Sequence, residues 1–327
     1  MTENPAITIA AFAGVSTSLL WVFTSIFFTS AGKRIGSTNV NTSRLFMALA
    51  LHAIIFGIST GTFFPELTQQ QTIDLALSGV IGLAIGDQFL FTSFLYIGPR
   101  LAILCMTTAP IWATFFGYIF LDEVLTPITL VGVAITLGAV VWAVLERPKS
   151  KVDAQPHPHF RRGIVFAIIG AICQAAGMMW SKTGMGIDIL PPEDQLAPQA
   201  ATFVRMCFAC LAIVPIFIVL NTMHRKSVAS GKPSSRNGRH SVGYTLALCG
   251  AICGPVLGVW LSLVAAKNAP VGVAQTLCGL SPVFILPLVP VVMKEHVSYR
   301  AIIAAVLAVG GIAVIVFEDA IRTFVAG

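Results

Sequence analysis

Long blocks of mostly apolar residues follow one another along nearly the whole chain. A helix needs about 20 such residues to cross a bilayer, and the runs are continuous, unlike the alternating segments of about ten residues in a membrane β-barrel. The chain is therefore predicted to be an all-α integral membrane protein with ten transmembrane helices, multi-pass in a plasma or inner membrane. The ten predicted spans are 6–29, 44–61, 75–97, 100–120, 127–145, 163–181, 202–220, 243–265, 271–292 and 299–317.

The charged residues lie mainly between these blocks. Only 10% of the residues are charged and 56% are hydrophobic, against about 25% charged in soluble domains. Fifteen Lys and Arg lie in the loops after spans 1, 3, 5, 7 and 9, while the other loops hold three, Lys182, Lys267 and Arg322. By the positive-inside rule the first set is cytoplasmic, so both termini are predicted to face outward. The net charge of +6 is then explained by the basic cytoplasmic loops that orient the protein in the membrane, and no nucleic-acid partner is predicted.

The two halves of the sequence are related. When the second half is shifted by 172 residues onto the first, residues of the same type coincide, including a helix proline and a loop glutamate. The pairs include Gly82 with Gly254, Gly86 with Gly258, Pro110 with Pro282 and Glu123 with Glu295. Five spans per half is an odd number, so the halves must have opposite orientations. We predict a five-plus-five inverted repeat, with repeats 1–147 and 163–327 joined by a cytoplasmic linker, 148–162. Inverted repeats are typical of transporters.

Two segments carry a family resemblance. Each of Ile97–Val141 and Ala269–Ile315 has small residues, a proline, an apolar helix, a glutamate at the loop and a last span with glycine. In this ordered pattern the chain resembles the EamA-type members of the drug/metabolite transporter superfamily. The resemblance implies ten spans, export or exchange of small metabolites, and a cavity lined by spans 1, 3, 4, 6, 8 and 9. Many such members have cytoplasmic termini, contrary to the charge count here, so no direction of transport is carried over.

Asp87, in "GLAIGDQFLF", is the most informative single residue. A carboxylate near the bilayer midplane costs a few kcal/mol or more and marks a functional site by default. One interpretation is a cavity-facing site for a cation, a proton or a substrate amine, and the other is a buried structural pair; we favour the first. Its repeat counterpart is Val259, and Gln88 and its counterpart Trp260 are adjacent candidates.

Further candidates for substrate or proton coupling are polar or aromatic residues within the spans. Lys182 could bind an anionic group or snorkel to the interface. Arg44 and Arg205 open equivalent spans and could bind backbone, headgroups or substrate. Trp21 and Gln174 lie on spans expected to line the cavity, with an interfacial belt as the alternative for the tryptophan.

Glycines and prolines form a second candidate set, for hinges and close packing. Small residues four apart allow helices to approach closely, and prolines free backbone carbonyls that are tolerated beside protein or a wet cavity. The residues are Gly82, Gly86, Pro110, Gly254, Gly258 and Pro282.

These patterns favour a secondary transporter of small metabolites or drugs, working by alternating access, with proton coupling through Asp87 as a hypothesis. Its expected partners are a small-molecule substrate, protons and the lipid bilayer, as a monomer or homodimer. Enzyme signatures and nucleotide-binding loops are missing from the sequence, and the seven cysteines have no nearby His or acidic cluster, so no enzyme activity, cofactor or metal is predicted. An intramembrane enzyme or a non-transporting membrane sensor is the alternative.

Overall fold

The structure is a computed structural model, and it describes residues 5–146, 159–229, 240–284, 299–318 and 321–322. All regular structure in these ranges is helical. The helices are α1 (Pro5–Ile35), α2 (Ser37–Thr60), α3 (Gln69–Leu77), π1 (Ser78–Gly86), α4 (Asp87–Met106), α5 (Ala109–Phe120), α6 (Pro127–Glu146), α7 (Phe160–Gly184), α8 (Pro198–Ala229), α9 (His240–Ala251), π2 (Ile252–Gly258), α10 (Val259–Asn268), α11 (Val271–Cys278), α12 (Ser281–Phe284) and α13 (Tyr299–Val316).

Six helical stretches of the described chain are long and apolar enough to cross a membrane. They are Pro5–Gly32, Ser37–Thr60, Gln69–Phe94, Phe160–Gly184, Pro198–Leu220 and His240–Asn268, with shorter apolar helices at Ala109–Phe120, Pro127–Trp142 and Ile302–Val316. This confirms an all-helical, multi-pass membrane architecture. Predicted span nine ends outside the described residues, as does most of the 148–162 linker, so the number ten stays a prediction.

Each half contains a stretch of π-helix at the same place. π1 ends at Gly86 and π2 ends at Gly258, residues that the 172-residue shift superposes. A π-turn is wider than an α-turn and commonly occurs at functional sites. The two halves are therefore related in local backbone structure as well as in sequence.

Each half also has a helix break at the same place. α4 ends before Thr107 and Thr108, and α11 ends before Gly279 and Leu280, again a difference of 172. The first break was expected near residue 98, between spans three and four, but α4 continues through Gly98 and Pro99. The helix ends at Met106 instead, and just beyond it the amide and hydroxyl of Thr108 both donate to Cys105 O, at 3.1 and 2.7 Å.

The first helix of each half packs against the other half. α1 packs against π2, α10 and α11 of the second half, and α7 packs against π1, α4 and α5 of the first. α2 packs on α8, and α6 on α13. A buried apolar cluster joins the halves at their centre, with Leu45, Leu83, Val204 and Leu263 among its members.

The two chain ends lie at the same end of the bundle. A cavity of about 330 Å³ is lined by Ile7 near the start, by Glu318 and Arg322 near the finish, and by the loops that follow α5 and α10. At the start of α7, His159 instead contacts Tyr96, with ring centroids 5.5 Å apart. The start of α7 thus lies at the opposite end of the bundle from this cavity, because Lys182 near the end of α7 contacts Ala269 beside the cavity.

Candidate functional site

The site forms around π1, whose wide turns leave carbonyl oxygens to be satisfied from outside the helix. Arg44 Nη2 donates to Leu83 O at 3.2 Å, and Asn41 Nδ2 donates to Ala84 O at 3.5 Å. Both donors lie on α2 and both are buried. Because buried carbonyls must find donors, these contacts fix α2 against the π-turn.

Asp87 is the first residue after π1 and is paired with Arg44. Asp87 Oδ2 accepts a hydrogen bond from Arg44 Nη2, and the side chains are 16% and 4% exposed. Arg44 also donates twice to Asn41 Oδ1, at 3.0 and 2.9 Å. Its guanidinium lies 5.7 Å from the ring centre of Phe28 and 5.1 Å from that of Phe91. The charge of Asp87 is therefore neutralised in this conformation.

Gln88 continues this network on the next residue of α4. Its Oε1 accepts a hydrogen bond of 3.0 Å from Asn41 Nδ2, and its Nε2 lies 3.4 Å from Thr92 Oγ1. The network thus runs from α2 through Asn41 to both Asp87 and Gln88.

Arg205 approaches π1 from the other side, on α8. Its Nη2 would lie 3.5 Å from a Cβ placed on Gly82, and it is close enough for its charge to act on Asp87. The side chain is 4% exposed, and Nε is buried without a hydrogen-bond partner. Within the described part of the chain, Arg44 thus has hydrogen-bond acceptors at Nε and Nη2, whereas Arg205 Nε has none.

Lys182 lies away from this cluster, at the end of the bundle where the chain ends meet. Its Nζ donates to Glu123 Oε1 at 2.7 Å and to Ala269 O at 3.3 Å, and it lies 3.4 Å from Asp188. Glu123 Oε2 accepts from Val271 N at 2.7 Å and so caps α11. We call Glu123, Lys182, Ala269 and Val271 the end latch, since it ties three helix ends from both halves.

The tryptophan and glutamine candidates are partly buried and sit along α1, α7 and α10. A Cβ on Gly258 would lie 2.7 Å from Trp21 Nε1, which places Trp21 against the end of π2. Gln174 is the next residue after Cys173, which lies against Gly86. Trp260 follows Val259 at the start of α10. Among the described residues, none of these three side chains hydrogen-bonds to Asp87, whose partner is Arg44.

The candidate glycines lie where helices approach most closely. A Cβ on Gly82 would be 3.2 Å from Gly177 Cα, and one on Gly86 would be 2.7 Å from Cys173 Cβ. In the second half, Gly254 faces Thr24 and Gly258 faces Trp21. Both π-turns therefore pack on the first helix of the other half through glycine.

The two candidate prolines occupy matching positions in the short helices after the breaks. Pro110 is the second residue of α5 and Pro282 the second residue of α12. Proline is tolerated in a first helical turn, because the missing N–H would have no intrahelical partner there. Each proline thus restarts a helix after a break.

Two residues that hold the π-turn and the second helix break were not predicted from the sequence, Asn41 and Ser18. Ser18 Oγ donates to Leu277 O at 2.7 Å and accepts from Leu280 N at 3.1 Å, bridging the second-half break. Asn41 stands in "STNVNTSR", a polar run opening an apolar span, and that run was a usable signal. Nothing in the sequence around Ser18 distinguishes it from its neighbours.

Comparison with known proteins decides the family. The family model of the EamA-like transporter family matches residues 8–145 and 161–317. The chain belongs to the EamA-like transporter family. It is therefore an integral, multi-pass membrane transporter, and transport rather than catalysis is the activity of its family.

The other comparisons add the fold but no substrate. No curated protein matches the chain. Among solved structures, one crystal structure superposes with a TM-score of 0.67 over 93% of this chain and 95% of its own, at 20% sequence identity. At this identity the match shows a shared fold. In the described residues there is also no cluster of three or more His, Cys, Asp or Glu that could hold a metal.

Proposed function

We propose that this EamA-family member is a secondary transporter of small metabolites or drugs that works by alternating access between inverted repeats. The observation that carries this proposal is the matched pair of π-turns and helix breaks, 172 residues apart, each pair packed on the first helix of the other half. Two halves with the same irregular backbone can exchange conformations and open a central site to each side in turn.

The end latch supports the same mechanism. It ties the loop after α5, the end of α7 and the start of α11 through buried polar contacts. In this proposal, these contacts hold that end of the bundle closed. Opening it requires the Lys182–Glu123 pair to separate, while the opposite end closes.

We further propose that Asp87 carries the coupling proton. Protonation removes the negative charge that holds Arg44 Nη2, so it would loosen α2 from π1 at the centre of the bundle. A group that both binds a proton and holds two helices together can link proton movement to a conformational change.

The test begins with thermal-stabilisation screening of the purified protein against metabolites and drugs at two pH values, followed by flux of each hit into proteoliposomes. Wild type should transport a hit under a pH gradient. Asp87→Asn should bind it, remain folded and lose pH-driven flux. Asp74→Asn is the matched control, because Asp74 is a buried carboxyl on α3 that hydrogen-bonds only locally, to Gln70 at 3.2 Å.

Two outcomes would count against these proposals. Full pH-driven flux by Asp87→Asn would overturn proton coupling through that residue and keep the transporter. Hits that bind wild type and yet never cross the membrane would overturn secondary transport itself.

A further inference from the structure

The two arginines beside π1 occupy matching places but have opposite surroundings. Arg44 is the eighth residue of α2, which begins at Ser37, and Arg205 is the eighth residue of α8, which begins at Pro198. Both side chains are 4% exposed. Arg44 donates to Asn41, Leu83 and Asp87, whereas the Arg205 guanidinium has no hydrogen-bond acceptor among the described residues, and its Nε is shielded from solvent.

An arginine in this position is charged and needs an acceptor. The guanidinium stays protonated in proteins and offers five N–H donors. Leaving such a group buried and unpaired is costly, and buried charges in proteins are paired as a rule. The missing acceptor is therefore the informative feature of this site.

The local charge balance gives the sign of that acceptor. Arg44 and Asp87 form a pair with no net charge, so Arg205 contributes one uncompensated positive charge to the cluster. Gly82 has no side chain, so the guanidinium can lie close to the π1 backbone, with Nη2 only 3.5 Å from where a Cβ of Gly82 would stand. A single negative charge on a small group would complete the site.

The depth of Arg205 separates a substrate from a lipid headgroup. Seven residues of helix at 1.5 Å each place it about 10 Å from the start of α8, and the side chain is 4% exposed and reaches π1 at Gly82. A ligand that reaches this side chain must therefore pass between the helices, as a transported molecule does and a lipid headgroup at the membrane surface does not.

We propose that Arg205 binds the anionic group of the transported substrate, and that the substrate class is small organic monoanions, with carboxylate as the group that fits best. This assignment rests on the transport function proposed above. The planar fork of a guanidinium matches the two oxygens of a carboxylate and forms paired, charge-assisted hydrogen bonds with it. Asp87 and Arg205 then have separate tasks, the first for the proton and the second for the substrate.

The experiment uses pairs of ligands that differ in charge alone: benzoate and benzamide, phenylacetate and phenylacetamide, lactate and lactamide. Thermal stabilisation and Kd are measured on the full-length protein in lipid nanodiscs. At least one acid should raise the Tm of wild type more than its amide. Arg205→Met should weaken acid binding by about ten- to a hundred-fold, the usual loss for a hydrogen bond to a charged group, and Arg205→Lys should bind acids with intermediate affinity.

A second measurement guards against simple misfolding. Because Arg205 has no protein acceptor, ligand-free Arg205→Met should have a Tm no lower than that of wild type, whereas Arg44→Met should lose much of its stability. Arg322→Met removes an exposed arginine far from π1 and should leave acid binding unchanged.

Three results would overturn the assignment: no acid stabilises wild type more than its amide, an acid stabilises Arg205→Met as well as wild type, or ligand-free Arg205→Met is as unstable as Arg44→Met. Binding is measured here without flux, so failure of this site is distinct from failure of transport. Flux of neutral compounds by a protein that ignores acids would keep the transporter and remove the anion site.

Discussion

The two halves of this transporter share an irregular backbone and differ in the side chains that stabilise it. In the first half, the carbonyl of Leu83 in π1 is satisfied by Arg44, and a charged pair follows at Asp87. In the second half, the matching carbonyl, Pro255 O, accepts a 3.2 Å hydrogen bond from His52 Nε2, and Val259 stands where Asp87 would be. The two π-turns therefore share a backbone geometry, but only the one in the first half is followed by a charged pair.

The helix breaks show the same contrast. The first is satisfied from within its own helix, by Thr108 on Cys105 O. The second is satisfied from α1, where Ser18 bridges Leu277 O and Leu280 N. A break held by another helix must change when that helix moves, so the second break is coupled to α1 more directly than the first is to α7.

The largest expected effect that tests this comparison is at Arg44. Arg44→Met leaves Asp87 buried without its partner, which costs about 3–5 kcal/mol of stability, whereas His52→Leu leaves one carbonyl unsatisfied and costs about 1–3 kcal/mol. Thermal and denaturant unfolding of both variants in nanodiscs measures the difference. The double variant Arg44→Met with Asp87→Leu should recover part of the loss, and no recovery would show that the pair is not the cause.

Close packing of π1 on α7 should give the next largest effect. A Cβ on Gly177 would lie 2.9 Å from Gly82 Cα, backbone that cannot move aside, so Gly177→Ala should cost about 1–3 kcal/mol. In the other half, Gly254→Ala would meet the side chain of Thr24 at 2.8 Å, which can rotate, and should cost less. Gly138→Ala is the control, because nothing lies within 4 Å of its Cβ position. Equal losses at Gly177 and Gly254 would contradict the difference between the halves.

The end latch should give a smaller loss of stability with a clear conformational readout. Glu123→Gln removes the charge that pairs with Lys182 but keeps an oxygen for Val271 N, and Asp188 remains 3.4 Å from Lys182. We expect a loss of about 1–2 kcal/mol and faster labelling of a single cysteine introduced at Ala269. Asp188→Asn is the control, since Asp188 is 78% exposed. Unchanged labelling in Glu123→Gln would show that the latch does not close that end.

The smallest effect concerns the contact between the α6 start and the end of the chain. Burial alone would raise the pKa of Glu318, but hydrogen bonds from Thr126 and Thr129, with the charge of Arg322, hold its pKa below the usual value. A lowered pKa in the folded state adds stability above the ordinary carboxyl pKa, and this stability is lost as the pH falls through the lowered value. Below the lowered pKa of Glu318, wild type and Glu318→Gln should therefore converge in Tm, and above the ordinary carboxyl pKa wild type should be more stable by under about 1 kcal/mol. A gap between them that persists at low pH would assign the effect to packing.

The sequence by itself determined the membrane architecture and the repeat. In lipid, the backbone N–H and C=O groups of an apolar block about 20 residues long must hydrogen-bond to each other, which a helix allows. The match of Gly86 with Gly258 and of Pro110 with Pro282 lies beside the π-turns and helix breaks of the two halves. The sequence also drew attention to Asp87, Arg44 and Arg205, since charged residues are conspicuous in apolar spans.

Only the tertiary structure decided which charges are neutralised and by what. Arg44 and Arg205 look alike in sequence, yet one is engaged by Asn41, Leu83 and Asp87 and the other has no described acceptor. Lys182 is separated from Asp87 and joined to Glu123, 59 residues earlier. A one-dimensional pattern shows that a charge is in the membrane, but its partner depends on which helices touch and at what height. That is set by the packing of glycines such as Gly82 and Gly177 between halves.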